Sequence, residues 1–157
     1  MSGNADHDVR APGAPDLAAV GQLLHDFNEE FGDQTPGADA LTRRIRRLLD
    51  GDETKVLIAG PGPDGLAVLR FRPAIWTEAL ECYLAELFVV PAKRGQGLGR
   101  ALLKAAIELA RNEGADHMDL GTSHDDAAAR RLYESLGFSN REGRPDGPVM
   151  YVYERDL

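Results

Sequence analysis

The sequence predicts a mixed α/β protein, a sheet of six to seven strands with helices on both faces. Three observations carry this prediction. Residues 15–49 have helical periodicity, short strand-like runs separated by turns occupy residues 53–90, and helical and strand-like segments alternate after residue 97. Because a helical crossover joins the runs 81–90 and 117–120, we expect these two strands to be parallel neighbours.

The first fifty residues predict a short strand around Val9 and two helices. Pro15 suits a helix start, and Gly32 can end the helix that follows it. Apolar side chains recur in that helix at Leu17, Val20, Leu23, Leu24, Phe27 and Phe31. A second helix over about 39–49 carries a stripe formed by Leu41, Ile45, Leu48 and Leu49.

The middle of the chain predicts strands over 55–59, 66–76 and 81–90, which form two antiparallel hairpins in succession. The glycine- and proline-rich turn 60–65 connects the first two strands. The second half predicts further elements in alternation. They are helix 97–112, strand 117–120, helix 126–136 and two closing strands, 138–141 and 149–153. The apolar face of the first of these helices is expected at Leu98, Ala101, Leu102, Ala105 and Leu109.

Length and composition set the class of protein. The 157 residues suit a single domain covering the whole chain, with a frayed terminus over residues 1–8. The formal net charge of -8 disfavours nucleic acid as a ligand. A single cysteine, Cys82, excludes an internal disulfide and indicates a reducing compartment. With no signal pattern and no apolar run near membrane length, a cytoplasmic protein without membrane contact is expected.

The most informative segment is the glycine-rich stretch 94–100, which follows a buried strand and opens a helix. Glycines two residues apart let backbone N–H groups converge at a helix N-terminus, where a pyrophosphate can bind. Arg94 and Arg100 would add positive charge. A Walker loop is excluded because no Gly-Lys-Ser/Thr follows. A dinucleotide fingerprint lacks its third glycine, although Asp119 stands where a ribose-binding acid would.

Two motifs in this region resemble those of the GCN5-related N-acetyltransferases, the GNAT family. Arg94-x-x-Gly97-x-Gly99 is similar to the family's pyrophosphate motif, and the stretch 87–91 before it resembles the family's fourth strand. The segment 126–138, with Ala129, Leu132, Tyr133, Leu136, Gly137 and Phe138, resembles a second conserved block. Asp126 departs from the asparagine of many members, but it can cap the helix equally well.

The resemblance implies the GNAT fold, in which the fourth and fifth strands splay apart and acetyl-CoA lies between them as acyl donor, without a metal. Leu87, Phe88 and Val89 would border the pantetheine arm, with main-chain groups of Leu87 and Val89 facing it. The residues implied for the pyrophosphate are Arg94, Gly95, Gln96, Gly97, Leu98, Gly99 and Arg100, with Asp126 and Tyr133 near the cofactor.

Three residues are catalytic candidates. Tyr133 matches the family's tyrosine that protonates the departing thiolate. Glu86, near the thioester end of its strand, is favoured as the base, and Glu81 stands where the histone-acetylating branch has its base. In a regular strand these two carboxylates face opposite sides, whereas a bulge would change that parity. His117 and His124 are weaker candidates, and Cys82 is interpreted as a core residue.

The acceptor stays open between several classes. The leading hypothesis is a small amine, aminoglycoside- or polyamine-like, because residues 83–137 partly resemble aminoglycoside 3-N-acetyltransferases. A protein N-terminus or lysine is the second hypothesis, and an acetyl-CoA sensor without catalysis is the third. Acidic residues on the first helix favour a cation, whereas four arginines on the second favour an anion: Asp26, Glu29, Glu30 and Asp33 against Arg43, Arg44, Arg46 and Arg47. The family also allows a homodimer.

Overall fold

The computed structural model describes residues 7–157, so the frayed terminus predicted over residues 1–8 lies mainly outside the described residues. The chain divides into two compact units, one ending at Asp119 and one running over Leu120–Leu157. The prediction of a single domain stays a prediction. The elements of the first unit are α1 (Leu17–Phe31), α2 (Ala38–Leu49), β1 (Thr54–Ala59), β2 (Gly65–Pro73), β3 (Leu80–Val89), α3 (Leu98–Asn112) and β4 (Ala115–Asp119), and α4 (Ala127–Ser135) belongs to the second.

The sheet of the first unit confirms the predicted mixed α/β class. Its strands lie in the order β1-β2-β3-β4. The pairs β1–β2 and β2–β3 are antiparallel, and β3–β4 is parallel, as the helical crossover predicts. Strand β2 ends at Pro73 instead of continuing to residue 76, and Ile75 and Trp76 lie exposed in the loop to β3.

The count of strands is lower than the six to seven predicted, since four are formed within residues 7–157. The strand expected around Val9 is a single bridge, in which Arg10 exchanges two backbone hydrogen bonds with Ile58. Pro12 follows closely and lacks the N–H that a longer ladder needs. The two closing strands are likewise replaced by one bridge, Arg141 to Val149, in the second unit.

Helices cover both faces of this sheet. On one face, α1 and α2 bury Leu17, Val20, Leu23 and Ile45 against Val56, Ile58, Leu66, Val68 and Phe88. On the other face, α3 approaches β2 closely at Gly65, where an added Cβ would lie 3.0 Å from Leu102 Cδ1. The buried residues of α3 are Leu98, Leu102, Leu103, Ala106 and Ala110, so the predicted apolar face is rotated by about one residue.

Candidate functional site

Strand β3 contains a bulge that decides where its two glutamates lie. Glu86 is opposite Val68, and Glu81 is opposite Arg72, but Leu84 is opposite Leu69, which leaves Ala85 without a partner in β2. Positions 68 and 72 of β2 are an even number apart and share a face. Glu81 and Glu86 therefore share one face of the sheet, the face of α1, instead of the opposite faces of a regular strand.

These two carboxylates have different surroundings on that face. Glu81 accepts a hydrogen bond from Arg72 Nε at 2.6 Å, as an ion pair at the surface. Glu86 is partly buried, and this burial raises the pKa of its carboxyl above the usual range. Within residues 7–157, no side-chain hydrogen bond or ion pair of Glu86 is formed. Of the two, Glu86 has the character of a proton acceptor.

Within residues 7–157, the second half of β3 has no ladder partner on the edge away from β2, and we call this stretch the open edge. The parallel ladder with β4 ends at the pair Tyr83–Asp119. On the other edge, the Val90 N–H donates to Asp64 O at 2.8 Å, so Val90 belongs to a hydrogen-bonded pair with the β2 side. In an antiparallel ladder, hydrogen-bonded and non-hydrogen-bonded pairs alternate along the strand. By this alternation, the main-chain groups of Leu87 and Val89 point away from β2. They lie along the part of β3 that extends past the β4 ladder.

A glycine turn connects this open edge to α3. Gly95 and Gly97 have φ values of +75° and +86°, a region that favours glycine. Gly97 is also the N-cap of α3, so the first N–H groups of the helix have no intrahelical partner. Leu98, Gly99 and Arg100 are the first residues of this helix, and Gln96 lies in the turn before it. Such a turn can hold an anion through backbone donors.

A cavity of about 260 Å³ lies on one side of the glycine turn. Lys93, Gln96 and Leu98 line it from the turn. Gly60, Pro61 and Asp64 line it from the loop between β1 and β2, together with His7 and Asp8. The cavity therefore places the cationic Lys93 and the acidic Asp8 and Asp64 beside the first residue of α3.

Arg94 contacts a residue that the sequence did not connect with it. Its Nη1 and Nη2 donate to the two carboxylate oxygens of Glu30 at 2.7 and 2.6 Å, and its Nε donates to Val89 O at 2.9 Å. The guanidinium also lies over the ring of Phe88, 5.6 Å from its centroid. Glu30 stands 64 positions away, on α1, so no local spacing could have indicated the pair.

The second unit holds the remaining candidates. Asp126 caps α4, since its Oδ1 accepts a hydrogen bond from the Ala129 N–H at 3.0 Å. Tyr133 packs edge-to-face against Phe138, with ring centroids 6.0 Å apart. Burial, and then the negative charge of Asp126, raise the pKa of the Tyr133 phenol. A phenol in this setting stays protonated and can donate a proton at neutral pH.

Cys82, His117 and His124 are the remaining residues that the sequence singled out. Cys82 is fully buried in β3, and burial raises the pKa of its thiol to about 11, which confirms its interpretation as a core residue. His117 and His124 are exposed. In the described part of the chain, no group of three His, Cys, Asp or Glu side chains is arranged to hold a metal ion.

Comparison with known proteins assigns the family. The sequence profile described as "Acetyltransferase (GNAT) family" matches residues 20–138, which is more than half of the chain. The protein belongs to the GNAT family. It is therefore an acyltransferase, and the resemblance of the two motifs is confirmed. GNAT acetyltransferases use acetyl-CoA as their acyl donor, which fits the backbone donors and open strand edge of this chain.

Individual GNAT relatives agree with this assignment. An uncharacterized N-acetyltransferase of Bacillus subtilis, YhfO, is 29% identical over 140 residues, which cover 87% of this chain and 92% of that protein. A mycothiol acetyltransferase of Gordonia bronchialis is 35% identical over 141 residues, or 84% of this chain. The match covers 44% of the length of the Gordonia protein. A streptothricin acetyltransferase of Streptomyces lavendulae is 30% identical over 90 residues, which cover 57% of this chain and 47% of that protein.

Solved GNAT structures confirm the fold. A crystal structure attributed to an acetyltransferase from Arthrobacter sp. FB24 has a TM-score of 0.86 and 45% identity, covering 95% of each chain. An aminoglycoside acetyltransferase from an uncultured soil sample, in complex with sisomicin, has a TM-score of 0.72 and 18% identity, over 94% and 95% of the two chains. This second likeness concerns the fold alone. Among the described helices, none is both long and apolar enough to cross a membrane.

Proposed function

We propose that this protein transfers the acetyl group of acetyl-CoA to a primary amine of a small molecule, aminoglycoside- or polyamine-like. One observation carries the proposal: the open half of β3 is followed, after the short 3₁₀ helix Pro91–Lys93, by a glycine turn at the N-terminus of α3. A strand edge outside the β4 ladder suits the amides of a pantetheine arm, and the glycine turn suits a pyrophosphate. These two features follow one another in the chain, as the two parts of coenzyme A do.

The donor would be held largely by the backbone. Main-chain groups of Leu87 and Val89 would pair with the pantetheine arm, while N–H groups of the segment 95–100 would bind the pyrophosphate. Because backbone donors at a helix start are fixed before the ligand arrives, they lose little entropy on binding. The remaining proposed donor-site residues are Phe88, Arg94, Asp126 and Tyr133.

The chemical steps would use one base and one acid. Glu86, directly or through a water, would take a proton from the protonated acceptor amine, since an ordinary amine (pKa about 10) is charged at neutral pH. The neutral amine would then form a bond to the acetyl carbonyl carbon as the carbon–sulfur bond breaks, and the nitrogen would lose its second proton to solvent. Tyr133 would donate its phenolic proton to the departing thiolate and regain a proton from solvent. Glu81, held by Arg72, is the second candidate for the base.

Support for a small amine comes from charge and from relatives. The net charge of -8 favours cationic acceptors, and two relatives carry the names of small molecules, mycothiol and streptothricin. A protein N-terminus or lysine is the alternative acceptor class. An acetyl-CoA sensor without catalysis is the alternative of another kind, and the presence of Tyr133 and of Glu86 without an ion-pair partner among residues 7–157 speaks against it. We also propose a cytoplasmic enzyme, with a homodimer as one assembly.

The proposal is tested by a thiol-release assay with acetyl-CoA against polyamines, aminoglycosides, amino acids and short peptides. Calorimetry with coenzyme A runs in parallel. Turnover with a small amine supports the proposal, whereas turnover with peptides alone supports the protein-modifying alternative. Binding of coenzyme A without turnover on any amine supports the sensor. Failure to bind coenzyme A contradicts the proposed function as a whole.

The role of Tyr133 is tested by Tyr133→Phe, which removes the hydroxyl and keeps the ring against Phe138. We expect turnover to fall by about 10- to 100-fold while the Kd of coenzyme A stays within about twofold. Phe138→Leu is the matched control, because it disturbs the same ring pair without removing a proton donor. Unchanged turnover in Tyr133→Phe would remove this residue as the acid.

A further inference from the structure

The contact between Glu30 and Arg94 joins two segments that the sequence treats separately. Glu30 is the penultimate residue of α1, and Arg94 begins the glycine-rich segment. Both carboxylate oxygens of Glu30 accept from the guanidinium, a two-pronged geometry that fixes orientation as well as distance. The same guanidinium holds Val89 O, so it spans α1, the end of β3 and the glycine turn.

Aromatic side chains pack next to the Glu30–Arg94 pair. Phe88 stacks on Phe27 of α1 at a centroid distance of 5.0 Å, and Phe27 meets Phe31 edge-to-face at 5.3 Å. The guanidinium of Arg94 lies over the ring of Phe88 in this stack. The position of the glycine turn relative to α1 is thus fixed through the Arg94 side chain.

The hydrogen bond to Val89 matters for the donor site. Val89 is one of the two residues whose main-chain groups face the open edge of β3. Because the Val89 carbonyl oxygen accepts a hydrogen bond from Arg94, the Arg94 side chain occupies one acceptor position on this edge and orients the carbonyl group. The Arg94 charge is at the same time compensated by Glu30, which lowers the pull that it can exert on a phosphate.

We propose that Glu30 is a positioning residue of the donor site. It holds the Arg94 guanidinium on the Val89 carbonyl and so fixes the glycine turn for the coenzyme A pyrophosphate. This inference rests on the proposed function, because it presumes that coenzyme A binds at the turn. In this arrangement Arg94 acts through the fixed directions of the hydrogen bonds that its guanidinium donates, and its positive charge is of secondary importance.

The opposing model makes Arg94 a direct phosphate ligand that Glu30 merely restrains. The two models differ in the sign of one effect. If Glu30 positions the turn, removing its charge weakens coenzyme A binding. If Glu30 competes with the phosphate, removing its charge releases Arg94 and strengthens binding.

The test is calorimetric titration of the full chain with coenzyme A, using Glu30→Gln, Arg94→Gln, Arg94→Lys and the double variant Glu30→Gln/Arg94→Gln. We expect each single variant to raise the Kd by about three- to tenfold, and the double variant to be no weaker than Arg94→Gln, because all remove one shared restraint. Arg94→Lys keeps the charge but loses the fork, so it should bind as weakly as Arg94→Gln.

The readouts separate positioning from general damage. Pantetheine lacks the pyrophosphate but would still pair with Val89, so its Kd should rise less than that of coenzyme A in each variant. Glu108→Gln is the matched control, since it removes a similar exposed ion pair, with Arg111, at the far end of α3. This control should leave the Kd of coenzyme A unchanged.

Two results would overturn the inference while leaving the proposed function intact. One is an unchanged or lower Kd in Glu30→Gln, whatever the Kd of Arg94→Gln. The other is an additive loss in the double variant, because independent contributions mean that Glu30 does not act through Arg94. If the wild-type chain does not bind coenzyme A, the proposed function fails first and the inference falls with it.

Discussion

The two halves of β3 are built for different purposes. The first half, up to Leu84, is paired with β2 on one edge, and residues 80–83 also pair with β4 on the other. The second half, from Glu86 to Val89, keeps β2 but extends beyond the β4 ladder and leads into the glycine turn. The bulge at Ala85 lies between these halves.

Electrostatics follows the same division. In the first half, Glu81 is neutralised by Arg72 at the surface. In the second half, Glu86 loses water without gaining a cation, and its pKa rises. A carboxylate that is desolvated and has no cationic partner lowers the stability of the fold. Proteins retain such a carboxylate where the chemistry of a site needs it. We therefore expect the first half to support the sheet and the second half to take part in the proposed reaction.

The largest expected effect tests this division directly. Glu86→Gln removes the proposed base at nearly constant shape, so we expect kcat to fall by about 10²- to 10³-fold. Glu81→Gln is the matched control on the same face of the same strand, and its kcat should stay within about twofold. The measurement is thiol release at saturating acetyl-CoA. A larger loss in Glu81→Gln than in Glu86→Gln would reverse the assignment of the base.

The pH dependence sharpens the same comparison. Glu86 accepts a proton only when ionised, and burial raises its pKa, so activity should fall as the pH drops through that raised pKa. Stability follows the opposite sign. A carboxyl with a raised folded pKa stabilises the fold below its unfolded pKa, and this contribution is lost as the pH rises through the folded pKa. At neutral pH, Glu86→Gln should therefore be more stable than the wild type in urea unfolding.

Sequence patterns foresaw the helices and the parallel crossover but not the details that place the site. The hydrophobic spacing of residues 17–31 and 98–112 predicts α1 and α3 closely, because amphipathic periodicity is a local property. The bulge at Ala85 depends on how β2 and β3 register, and no local signal marks it. Parity in a regular strand would have separated Glu81 from Glu86, and only the register shows them on one face.

The donor site was also predicted only in part. The glycine turn is predictable from local sequence, because Gly95 and Gly97 adopt backbone angles that glycine accepts readily. The partner of Arg94 was not foreseen, because Glu30 comes from another element and the pair is a product of tertiary packing. The terminal strands were overestimated, since β-like composition at 138–141 and 149–153 does not supply a long ladder partner.

A smaller effect is expected from the backbone of the glycine turn. Gly97→Val forces a branched side chain into the left-handed region and toward His7 Nε2, which lies 3.2 Å from the added Cβ. We expect the Kd of coenzyme A to rise by at least about tenfold. Gly114→Val is the matched control, because Gly114 also has a positive φ, +94°, but lies at the other end of α3.

Both glycine variants should lose stability, by about 1–3 kcal/mol each, since the backbone strain is alike. Only Gly97→Val should lose affinity for coenzyme A, as measured by calorimetry below the melting temperature. Equal losses of affinity in both variants would show that the turn acts through general stability. Full affinity in Gly97→Val would contradict the pyrophosphate assignment.

The smallest expected effect concerns Thr54, which lies in the same cross-strand row as Tyr83 in the first half of β3. Thr54 is opposite Arg70, which in turn is opposite Tyr83. Its side chain is buried, 1% exposed, and among the described residues its Oγ1 is the buried side-chain polar atom that lacks a hydrogen-bond partner. Thr54→Val should therefore raise the free energy of unfolding by about 1 kcal/mol, because it removes an unsatisfied hydroxyl and suits a strand.

The matched control is Thr42→Val, which removes a satisfied hydroxyl, since Thr42 Oγ1 donates to Ala38 O at 2.8 Å. This control should lose about 0.5–1 kcal/mol in urea unfolding. Because the row of Thr54 belongs to the half of β3 that supports the sheet, Thr54→Val should leave kcat and the Kd of coenzyme A unchanged. A change in either constant would mean that the first half of β3 takes part in the reaction, and the division at Ala85 would not hold.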